Sequence, residues 1–136
     1  MTLKTVYLAG PIEGCTDEEI FQWRSYVKDL LEDGIRAISP RTLDSSKASE
    51  VTTQSFMDVD ACDVVLAYVP KFINKRRCSY GTICEIAWAY TEQTPIVIVS
   101  DDDYIHEHPI MKTMGVHFYS FGEAIEYINN LLIDYV

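Results

Sequence analysis

The chain has no run of apolar residues approaching the roughly 20 that a membrane-spanning helix needs. Its first residues also lack the basic stretch followed by an apolar one that marks a secretory signal. Both absences point to a protein expected in the cytoplasm, with no membrane as partner. Paired cysteines are missing too. Cys15, Cys62, Cys78 and Cys84 form no C-x-x-C motif and have no histidine at ligand spacing, so neither a zinc site nor a redox pair is expected and the thiols are read as reduced. Basic residues are scarce: 11 Lys and Arg against 21 Asp and Glu leave a formal net charge of −10. Such a surface repels the phosphate backbone of a polynucleotide, which is therefore not expected as a partner, but it does not exclude a small nucleotide. Asp101, Asp102 and Asp103 stand together without the regular ligand spacing of a calcium loop, so no metal is assigned.

What is there reads as one globular domain over residues 1–136, 48% apolar and 24% charged, long enough to bury a real core. Residues 5–9 are a short apolar run ended by Gly10-Pro11, the pattern of a buried first strand feeding a tight loop. Thr16 followed by Glu19 predicts a capping box. The helix it opens, residues 17–32, carries Ile20, Trp23, Val27, Leu30 and Leu31 at helical spacing and stops at Asp33-Gly34. A second strand is expected at 35–39, a mobile Ser-rich loop at 40–50, and a helix from 52 or 53 to 62. Residues 64–69 make the most convincing buried strand. A basic loop (70–78), a helix containing Gly81, a strand at 96–99, the acidic turn, a short segment at 108–114, a fifth strand at 116–119 and an amphipathic helix at 121–132 complete the chain. Near-continuous apolar strands alternating with helices predict a five-stranded parallel sheet covered on both faces, flavodoxin-like or Rossmann-like. Ligands of such sheets sit beyond the carboxyl ends of the strands, where strand order reverses. The Gly10-Pro11 loop, the basic loop and the start of the Gly81 helix are expected around that crevice.

The helix after the basic loop holds the most informative residues. Ser79-Tyr80-Gly81-Thr82-Ile83-Cys84-Glu85-Ile86-Ala87-Trp88 sets one carboxylate, Glu85, among neutral neighbours. Glu85 is either a first-turn acid complementing the helix dipole or a carboxylate held at the floor of a pocket for chemistry. Tyr7 near the end of strand one, and Asp58 and Asp60 on the helix before strand three, converge on the same crevice. A phenol orients a carboxylate without neutralising it, as a nucleophilic Glu requires, and a second acid can protonate a leaving group. That is the logic of retaining glycosyl transfer.

The segments Val6-Tyr7-Leu8-Ala9-Gly10-Pro11-Ile12, Cys62-Asp63-Val64-Val65-Leu66-Ala67, Ser79-Tyr80-Gly81-Thr82-Ile83-Cys84-Glu85-Ile86 and His108-Pro109-Ile110-Met111 resemble, in order and over most of the chain, the nucleoside 2-deoxyribosyltransferase family, particularly its short phage and bacterial branch. The resemblance implies an enzyme without a cofactor that cleaves the N-glycosidic bond of a 2'-deoxynucleoside, or of its 5'-monophosphate, and passes the deoxyribose to another nucleobase. It implies that Glu85 is the nucleophile and Tyr7 the residue that positions it. Ser79 stands where family members acting on free nucleosides carry an Asp, and where the related 5'-monophosphate N-hydrolases carry a Ser. The family's acid stands eight residues before the position of Asp63, where this chain has Ser55; the role passes to Asp58, one helical turn further on, with Asp60 as fallback. Gly10, Pro11, Ser79 and Gly81 are expected to line the sugar or phosphate subsite. The family assembles as dimers or larger homo-oligomers in which a loop of one subunit completes its neighbour's site, here around His108 and Met111. An ordinary loop with a buried Met is the plainer account of that segment.

Lys71, Lys75, Arg76 and Arg77 form the one dense basic cluster. They are either a solvated loop or an electropositive collar drawing a 5'-phosphate toward Ser79 and the helix N-terminus. Arg41, at the crevice edge, is a surface residue or a contact for base or phosphate. Trp23 and Trp88 are read as core. A 5'-monophosphate N-hydrolase and a non-catalytic nucleotide-binding module stand as alternatives to the transferase.

Overall fold

A computed structural model of the chain describes residues 3–40, 48–71 and 79–133. It contains strands β1 (Lys4–Ala9), β2 (Ile35–Ile38), β3 (Val64–Tyr68), β4 (Ile96–Val99) and β5 (Val116–Phe118), with helices α1 (Asp17–Leu30), α2 (Ala48–Ala61), α3 (Tyr80–Thr91), α4 (Asp103–Glu107) and α5 (Phe121–Leu132) and a 3₁₀ turn at Met111–Thr113. All four strand pairings are parallel, in the order β2-β1-β3-β4-β5. This is the flavodoxin-like order, whose switch point lies between β1 and β3.

The period-2 geometry of the strands divides the core in two. Tyr7, Ala9, Val65, Ala67, Ile96 and Ile98 face α2, α3 and α4, where they meet Val59, Ile86, Ala89, Ile105 and Met111. Val6, Leu8, Val64, Leu66, Val97 and Val99 face the opposite way, onto Trp23, Val27, Ala124, Ile125 and Ile128. Each fully buried Val, Leu or Ile contributes about 1.5–3 kcal/mol. That is why strands covered on both faces contain no polar alternation. Trp23 stacks on Phe121 and tilts against Tyr68, and Trp88 meets Phe56 edge-on, so both are packing residues.

The capping box forms as expected: Thr16 Oγ1 accepts from the Glu19 amide and Glu19 Oε1 from the Thr16 amide. The helix stops at Leu30 rather than 32, because Leu31 turns to extended backbone and packs into the core; Gly34, at φ 89°, then makes the turn into β2. Two expectations are corrected. Helix α2 starts at Ala48, inside the stretch read as loop, with Thr53 Oγ1 turned back onto the Ser49 carbonyl. Helix α4 was not foreseen. Its signal was the acidic turn itself, where Asp102 is the N-cap and accepts from the Tyr104 amide. Asp101 takes the Lys71 amide and Asp103 the Tyr119 hydroxyl, so each carboxylate of that turn serves a local donor. Among the described residues no helix is long and apolar enough to cross a membrane.

Candidate active site

The carboxyl ends of β1 and β3 open at the switch point, and two side chains 78 positions apart meet there: the Tyr7 hydroxyl donates to Glu85 Oε2. Tyr7 is wholly buried and Glu85 is 6% exposed. Strand β1 delivers Tyr7 because its odd residues face α3. Helix α3 delivers Glu85 because Ser79 caps it, with Oγ accepting from the Thr82 amide at 3.2 Å, and because Thr82, Glu85, Ile86 and Ala89 form its buried stripe. Glu85 lies in the second turn and no acid occupies the first, so the dipole-complementing account of this residue is set aside.

Burial pushes the Glu85 carboxyl up to about 7, against the Tyr7 hydrogen bond and the positive charge of Arg24, which both favour the anion. Burial and the Glu85 charge push the Tyr7 phenol far above its ordinary value, so it stays a neutral donor. The site is thus a desolvated carboxylate poised near neutrality and held by a phenol. A buried ionisable pair of this kind in a crevice marks a candidate functional site.

Helix α2 brings Ser55 and Asp58 to the same phenol, where the Ser55 hydroxyl bonds Tyr7 and the Asp58 charge acts on it. Asp58 Oδ1 accepts from Gln54 Nε2 at 2.9 Å across one helical turn. Asp60 is exposed. Gly10 and Pro11 are buried at the end of β1, and a Cβ on Gly10 would stand 2.3 Å from the Trp23 ring, so packing alone demands glycine there. Gly81 is exposed, and a Cβ there would meet only Ser79 Oγ at 3.9 Å. Met111 packs in the core cluster that contains Tyr7. His108 closes α4, its Nδ1 accepting from the Ile110 and Met111 amides at 3.1 and 3.3 Å. Within one chain the segment therefore has the plain role of a folded loop with a buried Met. Arg41, Lys75, Arg76 and Arg77 lie outside the described residues.

Sequence reasoning missed Arg24. It is 2% exposed, its Nη1 donates to the Ile20 carbonyl at 2.6 Å, and its Nη2 donates to Leu8 and Gly10 carbonyls at 3.4 and 3.1 Å. The signal was present, since Trp23, Arg24 and Val27 share the buried stripe of α1. Among the described residues, the buried side-chain atoms Trp23 Nε1, Arg24 Nε, Ser39 Oγ and Thr82 Oγ1 have no hydrogen-bond partner. Among the described residues no group of three His, Cys, Asp or Glu is placed to hold a metal ion.

No family model matches the sequence, and no curated protein matches it. Among solved structures the chain is similar to a 2-desoxiribosyltransferase from Leishmania mexicana, with a TM-score of 0.77 at 16% identity over 96% of this chain and 99% of that one. It is similar to a CMP N-glycosidase from Clostridium botulinum, with a TM-score of 0.58 at 18% identity over 95% and 100%. It is also similar to a molybdenum cofactor binding protein from Rippkaea orientalis, with a TM-score of 0.68 at 16% identity over 98% and 99%. At such identities the likeness is one of fold. The sequence resemblance to deoxyribosyltransferases and N-hydrolases is met at that level.

Proposed function

We propose that the chain is an N-glycosyl transferase that cleaves the N-glycosidic bond of 2'-deoxynucleosides or their 5'-monophosphates and passes the deoxyribose to another nucleobase. The observation that carries this reading is the buried Tyr7–Glu85 pair at the switch point, with Asp58 acting on the same phenol. The fold shared with a deoxyribosyltransferase and an N-glycosidase supports it.

In the first step a Glu85 carboxylate oxygen attacks the anomeric carbon, the bond to the base nitrogen breaks, and its electron pair leaves with the base. Asp58, when protonated, gives that nitrogen a proton. Tyr7 holds the attacking carboxylate in place and leaves its charge intact. In the second step a nitrogen of the acceptor base attacks the same carbon and expels Glu85, and Asp58 recovers a proton from the acceptor. Two displacements retain the configuration. No step calls for a cofactor or a metal.

Ser79 favours a second reading, a 5'-monophosphate N-hydrolase in which water replaces the acceptor base. Its Oγ is engaged as acceptor by the helix cap, which leaves the O–H to donate to a phosphate oxygen beside the first amides of α3. Gly10, Pro11 and Gly81 belong to the sugar and phosphate side of this crevice in either case. Arg41 is proposed as a contact for base or phosphate, and His108 and Met111 are assigned to the edge shared with a neighbouring subunit of a homo-oligomer. The likeness to a molybdenum cofactor binding protein is the counterweight, because a protein of this fold is also named for what it binds, and fold alone does not fix function.

Chromatography of the protein incubated with each deoxynucleoside and each monophosphate, with and without a second free base, separates the readings. A new nucleoside formed only with the second base establishes the transferase. Free base released from monophosphates alone establishes the hydrolase. No product from any substrate overturns both.

A further inference from the structure

Arg24 is a buried cation, and among the described residues no carboxylate is hydrogen-bonded to it. Its donors go to three main-chain carbonyls, its guanidinium lies 4.5 Å from the centre of the Trp23 ring, and Nε has no partner. Burial lowers it only to about 10, so it carries its full charge at neutral pH. Such a charge is costly to bury unless an anion offsets it. The ionisable groups that act on it are Glu85, Tyr7 and Cys15. Of these, Glu85 is the group that ionises near neutrality. Two of the carbonyls that hold Arg24 belong to Leu8 and Gly10, either side of Ala9, at the end of the strand whose Tyr7 holds Glu85. The absence of a side chain on Gly10 lets the guanidinium reach that strand end, since a Cβ there would lie 3.2 Å from Nη2.

We infer that Arg24 is a positioning residue for the reaction proposed above: locked to the end of β1 from the opposite face of the sheet, it supplies the positive charge that sustains the buried Glu85 anion. Arg24 touches no reacting atom. It acts through the field it projects across the switch point, in a region that water does not screen. Among the described residues the groups that act on Glu85 are Tyr7 from β1 and, from across the sheet, Arg24 from α1; the Asp58 charge, from α2, acts on the Tyr7 phenol. This inference rests on the nucleophilic role of Glu85, and its test is arranged so that the two can fail separately.

Arg24→Gln removes the charge and keeps an amide donor for the Leu8 and Gly10 carbonyls; Arg24→Lys keeps the charge. The side-chain carboxyl of Glu85 is followed by carbon NMR in glutamate-labelled protein, with Glu85→Gln to assign its signal. The wild-type titration midpoint is expected near 7, that of Arg24→Gln higher by about one pH unit or more, and that of Arg24→Lys close to wild type. The acid limb of kcat/KM should move in parallel, so that Arg24→Gln loses about fivefold or more at pH 7 and regains most of it at pH 9. An unmoved midpoint in the folded Gln variant, with a loss of rate equal at every pH, overturns the inference and leaves Arg24 a structural anchor. Should Arg24→Gln not fold, Arg24→Met and Arg24→Lys are compared by the same titration. A midpoint that shifts in a protein without glycosyl activity upholds the electrostatic link and overturns the functional reading.

Discussion

Replacing Glu85 by Gln should abolish activity and make the protein more stable at neutral and alkaline pH. The carboxyl titrates at about 7 in the fold against 4.5 for an ordinary glutamate, and desolvation is the main cause. Each pH unit between those values is worth about 1.4 kcal/mol. Ionising Glu85 in place therefore costs the native state about 3 kcal/mol. A glutamine keeps the shape and an acceptor for the Tyr7 hydroxyl, and the folded-state value already includes the Tyr7 bond to the anion. The net gain is about 3 kcal/mol at pH 8, or roughly 12 °C in Tm for a chain of this size. The sign follows from linkage. Below 4.5 both folded and unfolded wild type are protonated at this residue and the variant gains nothing from this source. Between 4.5 and about 7 the native state keeps a proton that the unfolded chain releases, so wild-type stability falls relative to the variant. Above 7 the difference is constant. Urea unfolding of both proteins from pH 5 to pH 8.5 measures it. A variant less stable than wild type at pH 8, or a difference that does not grow between pH 5 and pH 7, refutes the account of Glu85 as a destabilised, reactive carboxylate. Glu85→Ala, which deletes the nucleophile, should lose at least about 10³-fold in rate with the fold retained.

Asp58→Asn should lower kcat by about 10²-fold with KM little changed, because it withdraws the proton for the departing base and keeps the Gln54 contact as an acceptor; steady-state kinetics decides it. Ser79→Ala should cost about 1 kcal/mol through loss of the α3 cap, and should raise KM for monophosphates by about tenfold while leaving free nucleosides unaffected. Parallel KM measurements on both substrate classes read the difference. Gly10→Ala should destabilise by about 1–3 kcal/mol, since the added methyl stands 2.3 Å from the Trp23 ring, and chemical unfolding will measure it.

Much of the fold was legible because its signals are local or repetitive. Strands buried on both faces spell out as apolar runs, which made β1, β3 and β4 plain, and Thr16 with Glu19 announced α1 three residues apart. The start of α2 was hidden because residues 49–53 favour loops by composition, while the helix is held by packing further along at Val59. Helix α4 was hidden because a single Asp cap among three acids reads as a turn. At the site, Glu85 stood out as a lone charge in an apolar helix. Its second-turn position and its bond to Tyr7 needed the fold, which alone brings strand one against the helix after strand three. Arg24 was passed over because an Arg on an amphipathic helix is read as solvent-facing, although its place beside Trp23 on the stripe shared with Val27 had marked it for burial. Gly10 was read as a ligand-lining glycine, and its packing against Trp23 is a long-range fact that no local pattern carries.

The most direct test of the central claim is mass spectrometry of the protein quenched in acid during turnover of a deoxynucleoside or its monophosphate, followed by peptide mapping. The account predicts a mass increase of one deoxyribosyl group, or deoxyribosyl phosphate, on the peptide containing Glu85, absent from Glu85→Gln and lost when acceptor base or time is supplied. Turnover with no adduct at any stage, or an adduct on another residue, contradicts it.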